Sequence, residues 1–420
     1  MTVAPEELRP AGTPAPQLVP RRRISIWVWL VAGFALLSLV RVLTGANEVD
    51  SAGTLREAVN ASVPIAMAAL AGLWSERAGV VNIGLEGMMI LGTIGAGYFG
   101  FWYGPWAGIV GAMIFGAIGA ALHALATVIF GVDHIVSGVA INIIAIGAAA
   151  FLASTWFSGL KGGGPTQSPP LDAPLSITVP GLSDAMNTLQ GKHWFVISDL
   201  ASVLGALTTE LSIITLLAVV LIVGSAWILW RTAFGLRLRS CGESPTAAET
   251  LGINVYRYKF LAVLTSGAIA GMGGAFIVLV SSGLYQNGQT GGRGYIGLAA
   301  MIFGNWRPAG LVLGSVLFGY TDALQLRAGG EAVHALLIIV TIILLGVAVL
   351  QFRRGLRVAA ITSFVIAVAF GVWFFTTDAV PADFTRMTPY VTTILVLGLA
   401  AQRLRMPAAD GVRYRRGQAG

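Results

Sequence analysis

The stretch that decides the fold is Thr209-Glu-Leu-Ser-Ile-Ile-Thr-Leu-Leu-Ala-Val-Val-Leu-Ile-Val-Gly-Ser-Ala-Trp-Ile-Leu-Trp230. After Glu210 it carries no charged side chain for 20 residues. About 20 apolar residues, at a helical rise of about 1.5 Å per residue, span the roughly 30 Å hydrocarbon core of a bilayer. The run therefore predicts a transmembrane helix.

The composition extends this conclusion to the whole chain of 420 residues. Hydrophobic residues make up 56% of the chain and charged residues 11%, whereas soluble domains carry about 25% charged residues. Too few charges are present to cover a water-facing surface. The composition therefore excludes a string of soluble domains and predicts an all-α polytopic membrane protein.

Twelve apolar runs predict the membrane crossings, and they lie at 24–40, 58–74, 83–103, 105–130, 132–157, 209–230, 260–282, 295–305, 309–327, 334–352, 358–376 and 388–402. The run 295–305 is too short to span a bilayer, which predicts a half-helix or re-entrant helix buried in protein. We therefore expect about 10–12 transmembrane helices.

The basic residues indicate how the chain is oriented. Lys and Arg number 26 against 19 Asp and Glu, a net charge of +7. If the N-terminus is cytoplasmic, 19 of the 26 basic residues fall in cytoplasmic segments, as the positive-inside rule requires. The charge therefore needs no nucleic-acid partner, and we expect a multi-pass protein of the cell (plasma) membrane with both termini cytoplasmic.

This topology divides the chain into segments. We expect a cytoplasmic N-terminal tail at 1–23, a transmembrane domain at 24–403 and a cytoplasmic C-terminal tail at 404–420. Inside the transmembrane domain, an external loop occupies 158–208 and a cytoplasmic loop occupies 231–259.

Residues that bind ATP or metals are scarce. A P-loop needs Gly-Lys followed by Ser or Thr, and the one lysine preceded by glycine, Lys192, is followed by His193. The single Cys241 excludes a multi-thiolate site, and the four histidines show no metal-ligand spacing. We therefore expect no catalytic residue, metal or cofactor in this chain.

The loop 231–259 contains the signature of a short helix. Ser244 suits an N-cap, Pro245 suits the first helical position, and Gly252 suits the residue that ends the helix. Ala247 and Ala248 give the helix a small-residue surface, and basic residues flank it. Such a helix fits docking into a groove of another protein, although a solvated linker that turns the chain back is the simpler alternative.

The same loop resembles the coupling loop of ABC importer permeases. There, two glycines about ten residues apart bracket an Ala-Ala pair, and the corresponding loop here comprises Gly242, Glu243, Ser244, Pro245, Ala247, Ala248 and Gly252. The resemblance implies that the helix inserts into a cytoplasmic ATPase subunit, which binds ATP and Mg²⁺. Cys241 and Ser244 depart from the family pattern, without harm to the helix caps.

Two further stretches resemble the nucleoside-type permeases of the branched-chain amino acid and simple-sugar permease superfamily. They are Leu73-Trp-Ser-Glu-Arg-Ala-Gly-Val-Val-Asn-Ile-Gly-Leu-Glu-Gly-Met-Met89 and the block from Gly292 to Arg327. The similarity covers roughly 55–327 and implies the ABC importer permease fold and nucleoside import. It also implies ABC ATPase subunits, a second homologous permease subunit and an extracellular solute-binding protein as partners, besides membrane lipid. An extra helical pair at 328–387 lies outside the family pattern.

Polar residues within apolar runs are candidates for a translocation pathway, because ionisable groups at membrane depth are costly and usually functional. The candidates are Asn82, Glu86, Asn142, Asn305 and Asp322. Each has a structural alternative: a helix N-terminus can stabilise Glu86, water can reach Asp322, and the amides can clamp helices. Asn82 stands between Gly79 and Gly84, a pattern typical of a broken helix.

Other functions stay open at this point. An ABC permease for simple sugars or branched-chain amino acids has the same architecture. An ion-coupled secondary transporter would need ion sites at the midplane and usually two matching halves, and no internal repeat is evident. A membrane enzyme would need a catalytic cluster, and none has the required spacing.

Overall fold

The computed structural model describes residues 26–192, 194, 196–385, 387–388, 391–392, 394 and 404–417. The predicted tail 1–23 and most of the predicted run 388–402 lie outside the described residues. The helices are α1 Ile26–Thr44, α2 Ala52–Arg77, α3 Leu85–Tyr103, α4 Pro105–Ala124, α5 His134–Phe157, α6 Leu182–Gln190, α7 Ile197–Thr208, α8 Ile213–Arg231, α9 Ala233–Glu243, α10 Pro245–Thr250, α11 Val255–Phe276, α12 Arg293–Phe303, α13 Pro308–Ala323, α14 Gly329–Arg353, α15 Arg357–Thr376 and α16 Ala382–Thr385. The strands β1 Ser176–Ile177 and β2 Leu211–Ser212 pair antiparallel.

Eight helical segments of the described chain are long and apolar enough to cross a membrane. They are Asn47–Arg77, Pro105–Ile129, His134–Phe157, Ile213–Arg231, Val255–Ser282, Pro308–Arg327, Gly329–Arg353 and Arg357–Thr376. α3 has 19 residues and is mostly buried, and α12 has only 11 residues, about half a bilayer at about 1.5 Å per residue. The predicted all-α polytopic fold with one short helix is confirmed.

Local sequence explains where these helices begin. The Asp133 carboxylate accepts the backbone N–H groups of Ile135 and Val136 at the start of α5, over 2.9 and 3.1 Å. α4 and α13 each begin with a proline, which has no N–H to leave unpaired in the first turn.

Glycines allow the central helices to touch backbone to backbone. A Cβ atom on Gly267 of α11 would lie 2.4 Å from the carbonyl oxygen of Gly116 in α4, and one on Gly271 would lie 2.1 Å from that of Ala112. These two glycines, four positions apart on α11, therefore form the α4–α11 contact. Since lipid provides no hydrophobic drive for helix association, such close packing stabilises the bundle.

The first residues of α8 follow α6, α7 and the β1–β2 pair, which lie in and just beyond the predicted loop 158–208. These elements are here named the α6–α7 face. On this α6–α7 face, the Arg41 guanidinium lies 3.0 Å from the Asp199 carboxylate and 3.4 Å from that of Asp50. The Ser38 hydroxyl also donates to Asp199, and all four side chains are buried. The cluster ties α1 and the start of α2 to α7.

The other end of α8 adjoins α9 and α10, which form the α9–α10 face. The segment 231–259, expected to be a loop with one short helix, is mostly helical, since α9, α10 and the first residues of α11 fill it. α9 escaped the search for apolar runs because it exposes Arg237 while burying Leu238 and Cys241. The segment 328–387, expected to be an extra helical pair, contains α14 and α15, joined by a short turn at Gly355, which has a φ of +78°.

Candidate functional site

Glu86 lies in the first turn of α3 and receives hydrogen bonds from the start of α12. One carboxylate oxygen accepts the Thr290 hydroxyl over 2.6 Å and the Gly292 N–H over 3.0 Å. The other accepts the Gly294 N–H over 2.6 Å. Gly294 has to be glycine for this approach, because a Cβ atom there would lie 2.6 Å from Cα of Glu86. The buried Glu86 side chain therefore occupies the N-terminus of the short helix.

Asn142 of α5 joins three elements at the same place. Its side-chain oxygen accepts the Gly87 N–H over 2.7 Å, and its Nδ2 donates to the Ile83 carbonyl over 3.0 Å and to the Tyr295 hydroxyl over 2.9 Å. α3, α5 and α12 are thereby held together around Glu86.

A cavity of about 310 Å³ opens beside these residues, near the lower end of the roughly 300–1,000 Å³ typical of ligand pockets. Glu86, Asn142, Gln289, Thr290 and Tyr295 contribute its polar groups near α12. Both polar atoms of the Gln289 side-chain amide are buried and find no hydrogen-bond partner among the described residues. Because buried polar groups are normally paired, this unpaired amide is an exception among the residues that line the cavity.

Asp322 lies behind the cavity rather than in it. Its carboxylate accepts from Arg293 Nη2 over 2.7 Å, and both side chains are largely buried. The Arg293 Nη1 atom in turn donates to the carbonyl oxygens of Gln289 and Thr290 over 3.4 and 3.3 Å. Asp322 therefore fixes the backbone of the segment that lines the cavity.

Asn82 and Asn305 lie elsewhere. The fully buried Asn82 donates through Nδ2 to the Ser266 hydroxyl of α11 over 3.0 Å, which fixes the turn between α2 and α3. Asn305 follows the opposite end of α12, where its side-chain oxygen accepts the Arg405 N–H over 2.7 Å. Of the five predicted pathway residues, the structure brings only Glu86 and Asn142 together at the cavity.

The sequence search missed Gln289, Thr290 and Tyr295. They belong to Tyr285-Gln-Asn-Gly-Gln-Thr-Gly-Gly-Arg-Gly-Tyr295, a polar, glycine-rich stretch between two apolar runs. Its glycines were a usable signal, since Gly288, Gly291 and Gly292 all adopt positive φ angles and bend the segment back towards α3.

The predicted coupling residues lie together on the α9–α10 face. Pro245 is the first residue of α10 and Gly252 ends the turn after it with a φ of +78°. Gly242 is buried against the α2–α3 turn, where a Cβ atom would lie 2.4 Å from the Arg77 carbonyl oxygen. Glu243 is exposed and lies 3.7 Å from the Arg77 guanidinium.

Two details of this surface differ from expectation. The Ser244 side chain makes no capping hydrogen bond, although Ser244 occupies the N-cap position. Ala247 is exposed, but Ala248 is buried against Cys241 and Val255. The small-residue surface therefore consists of Ala247 without Ala248, because the two neighbours point to different sides of a helix.

Comparison with known proteins identifies relatives of this architecture. Residues 55–348 match the family described as branched-chain amino acid transport system, permease component. The nucleoside ABC transporter permease protein NupC of Lactococcus lactis is 34% identical over 84% of this chain and 93% of its own length. The guanosine ABC transporter permease protein NupQ of Bacillus subtilis is 32% identical over 85% and 94%.

A third relative is named for another solute. The putative glucose ABC transporter permease protein TsgC13 of Haloferax volcanii is 34% identical over 66% of this chain and 78% of its own length. No solved structure matches the chain. The matched residues contain Glu86, α10 and α12. This match and the two identities above show that the chain belongs to the branched-chain amino acid transport system permease family, as a membrane-spanning permease subunit of an ABC transporter.

Proposed function

We propose that this subunit imports a neutral nucleoside, and that the solute passes through the cavity beside Glu86. The observation that carries the proposal is the occupation of the α12 N-terminus by the Glu86 carboxylate. Half-helix N-termini in transporters commonly hold anionic substrate groups, since their free N–H groups and dipole attract negative charge. Here the protein's own carboxylate fills that position, which disfavours a nucleotide or a free carboxylate.

The unpaired Gln289 amide supports a nucleobase as the ligand. It offers one donor and one acceptor side by side, a pattern that a purine or pyrimidine edge complements. The names of NupC and NupQ agree with this choice. The name of TsgC13 favours a second candidate, a neutral sugar, whose hydroxyl groups also pair with an amide.

Energy for import would come from a separate ATPase subunit. The chain has no Gly-Lys-Ser/Thr motif, and the exposed Ala247 on α10 suits contact with such a subunit. We therefore infer that the chain holds no catalytic site, cofactor or metal of its own. Its partners would be ATPase subunits, a second homologous permease subunit and an extracellular solute-binding protein.

Uptake measurements test this function directly. Labelled uridine, guanosine, glucose, ribose and leucine are supplied to cells with and without the gene, before and after ion gradients are dissipated while ATP is maintained. We expect gene-dependent nucleoside uptake that survives loss of the gradients and that nucleoside monophosphates do not inhibit. Glucose, ribose or leucine uptake would replace the nucleoside as solute, and dependence on the gradients would refute the ATP-driven mechanism.

The Gln289→Leu variant should take up nucleoside about tenfold more slowly at low concentration, because one lost pair of hydrogen bonds is worth about 1.4 kcal/mol. The change should appear mainly as a raised KM. Gln286→Leu is the matched control, since Gln286 lies in the same segment with an exposed side chain. Equal uptake by both variants would remove Gln289 from the solute site.

The membrane orientation is also a proposal, in which the chain lies in the plasma membrane with both termini and the α9–α10 face in the cytoplasm. An impermeant maleimide should label Ala185→Cys on α6 in intact cells and label Ala247→Cys only after permeabilisation. The native Cys241 should stay unlabelled, because it is buried and burial raises its pKa to about 11. The reverse labelling pattern would invert the topology.

A further inference from the structure

The C-terminal segment 404–417, here named the C-terminal strap, lies across the α9–α10 face. Its Ala409 N–H donates to the Gly242 carbonyl over 2.9 Å, and its Ala408 N–H donates to the Glu243 carboxylate over 3.3 Å. Beyond α10, the Gly417 N–H and the Arg416 guanidinium both lie 3.5 Å from the Glu249 carboxylate. The strap therefore contacts the chain before α10 and the last turn of α10 itself.

Ring packing adds to these polar contacts. Tyr414 packs against the buried cluster of Cys241, Ala248 and Val255, and its ring centroid lies 5.2 Å from that of Tyr256. Tyr414 thus helps to cover the inner side of α10, the side to which Ala248 points.

The strap also reaches the end of α12 that is remote from the cavity. Asp410 makes a side-chain hydrogen bond with Glu76, whose carboxylate accepts the Trp306 Nε1–H over 2.6 Å. Burial raises the pKa of Asp410 to about 7. Since Arg405 bonds Asn305, one segment of chain connects α10 with the residues that follow α12.

The exposed side of the strap is strongly basic. Arg413, Arg415 and Arg416 are exposed there, and Arg237 and Arg257 are exposed beside α10. A groove of about 240 Å³ runs between the end of α10 and the strap, lined in part by Glu249, Tyr414 and Arg416. The strap and the neighbourhood of α10 therefore expose five arginines, of which Arg416 is paired with Glu249 and Arg413 lies near Asp133 at the start of α5.

We propose that the C-terminal strap forms part of the docking surface for the ATPase subunit, and that the matching surface of that subunit carries acidic residues around the groove that receives α10. This inference rests on the proposed function and adds the strap to it. Through Arg405 and Asp410, the strap would also transmit displacement of α10 to the residues after α12.

The test compares two triple variants of the full-length chain. The strap variant reverses the charge of three exposed arginines of the strap: Arg413→Glu, Arg415→Glu and Arg416→Glu. The control variant reverses three exposed arginines around the α14–α15 turn: Arg353→Glu, Arg354→Glu and Arg357→Glu. Each chain is reconstituted in nanodiscs with the ATP-hydrolysing subunit that copurifies with the wild-type chain. The rate at which each chain associates with this ATPase subunit is then measured at several salt concentrations.

The strap variant should associate with the ATPase subunit about tenfold more slowly than the wild-type chain does, because charges around an interface act mainly on the association rate. Its association rate should also lose most of its dependence on salt concentration. The control variant should behave as wild type, and equal melting temperatures exclude misfolding. Wild-type association by the strap variant would overturn the proposal while leaving the permease function intact. Failure of any ATPase subunit to copurify with the wild-type chain would overturn both.

Discussion

Replacement of Glu86 by glutamine should lower solute uptake about 100-fold, because hydrogen bonds to charged groups contribute about 1.5–3 kcal/mol each and two of them are weakened. The carboxylate accepts from Thr290, Gly292 and Gly294 with its two oxygens. A glutamine has one oxygen, so its NH₂ group would face an N–H or hydroxyl donor. The start of α12 would lose its anchor on α3.

The measurement for Glu86 is initial uptake by cells, normalised to the amount of protein in the membrane. Glu331→Gln is the matched control, since Glu331 is an exposed glutamate in the first turn of α14. The Glu86 variant should still insert in the membrane, because the apolar helices do not depend on this contact. Uptake at the wild-type rate would show that the carboxylate is only a helix cap.

Replacement of Ala247 by arginine should reduce ATP-driven uptake about 100-fold, because the long side chain would overfill a closely packed contact between α10 and its groove, at a cost of about 1–3 kcal/mol. Ala247 is the exposed alanine of α10, so the substitution leaves the buried side of the helix unchanged. The ATPase subunit should no longer copurify with the variant.

Ala185→Arg serves as the control for this substitution, since it places the same side chain on an exposed position of α6, at the opposite end of the bundle. Ala248→Arg is not an equivalent test, because Ala248 is buried and the change would disrupt α10 itself. Wild-type uptake and copurification by Ala247→Arg would remove α10 from the coupling surface.

The transmembrane helices could be predicted because the length and apolar composition of each run are enough to indicate that it crosses a membrane. The run 295–305 even indicated by its length that α12 stops short of a full span. α9 could not be found this way, since the exposed Arg237 and the half-buried Arg239 lower its average hydropathy. Local composition thus identifies helices that contact lipid better than helices that lie on a polar face.

The candidate site was only partly predictable because it depends on contacts between distant segments. Glu86 and Asn142 were found as polar residues in apolar runs, but the glycines at 288, 291 and 292 indicate only a turn and not that residues 289–294 contact α3. The same limit applies to Asn305, whose partner Arg405 is 100 positions away. The inward position of Ala248 was equally hidden, since a helix of six residues shows no periodicity.

The shortness of α12 has a consequence for how the chain is made. A helix of 11 residues lacks the length by which the insertion machinery recognises a span. Two of its walls come from earlier parts of the chain, since Gly297 packs against Ala68 of α2 and Gly294 against Glu86 of α3. α12 can therefore reach its place only after α2 and α3 have inserted, so the cavity beside Glu86 forms later than the helices that provide its first walls.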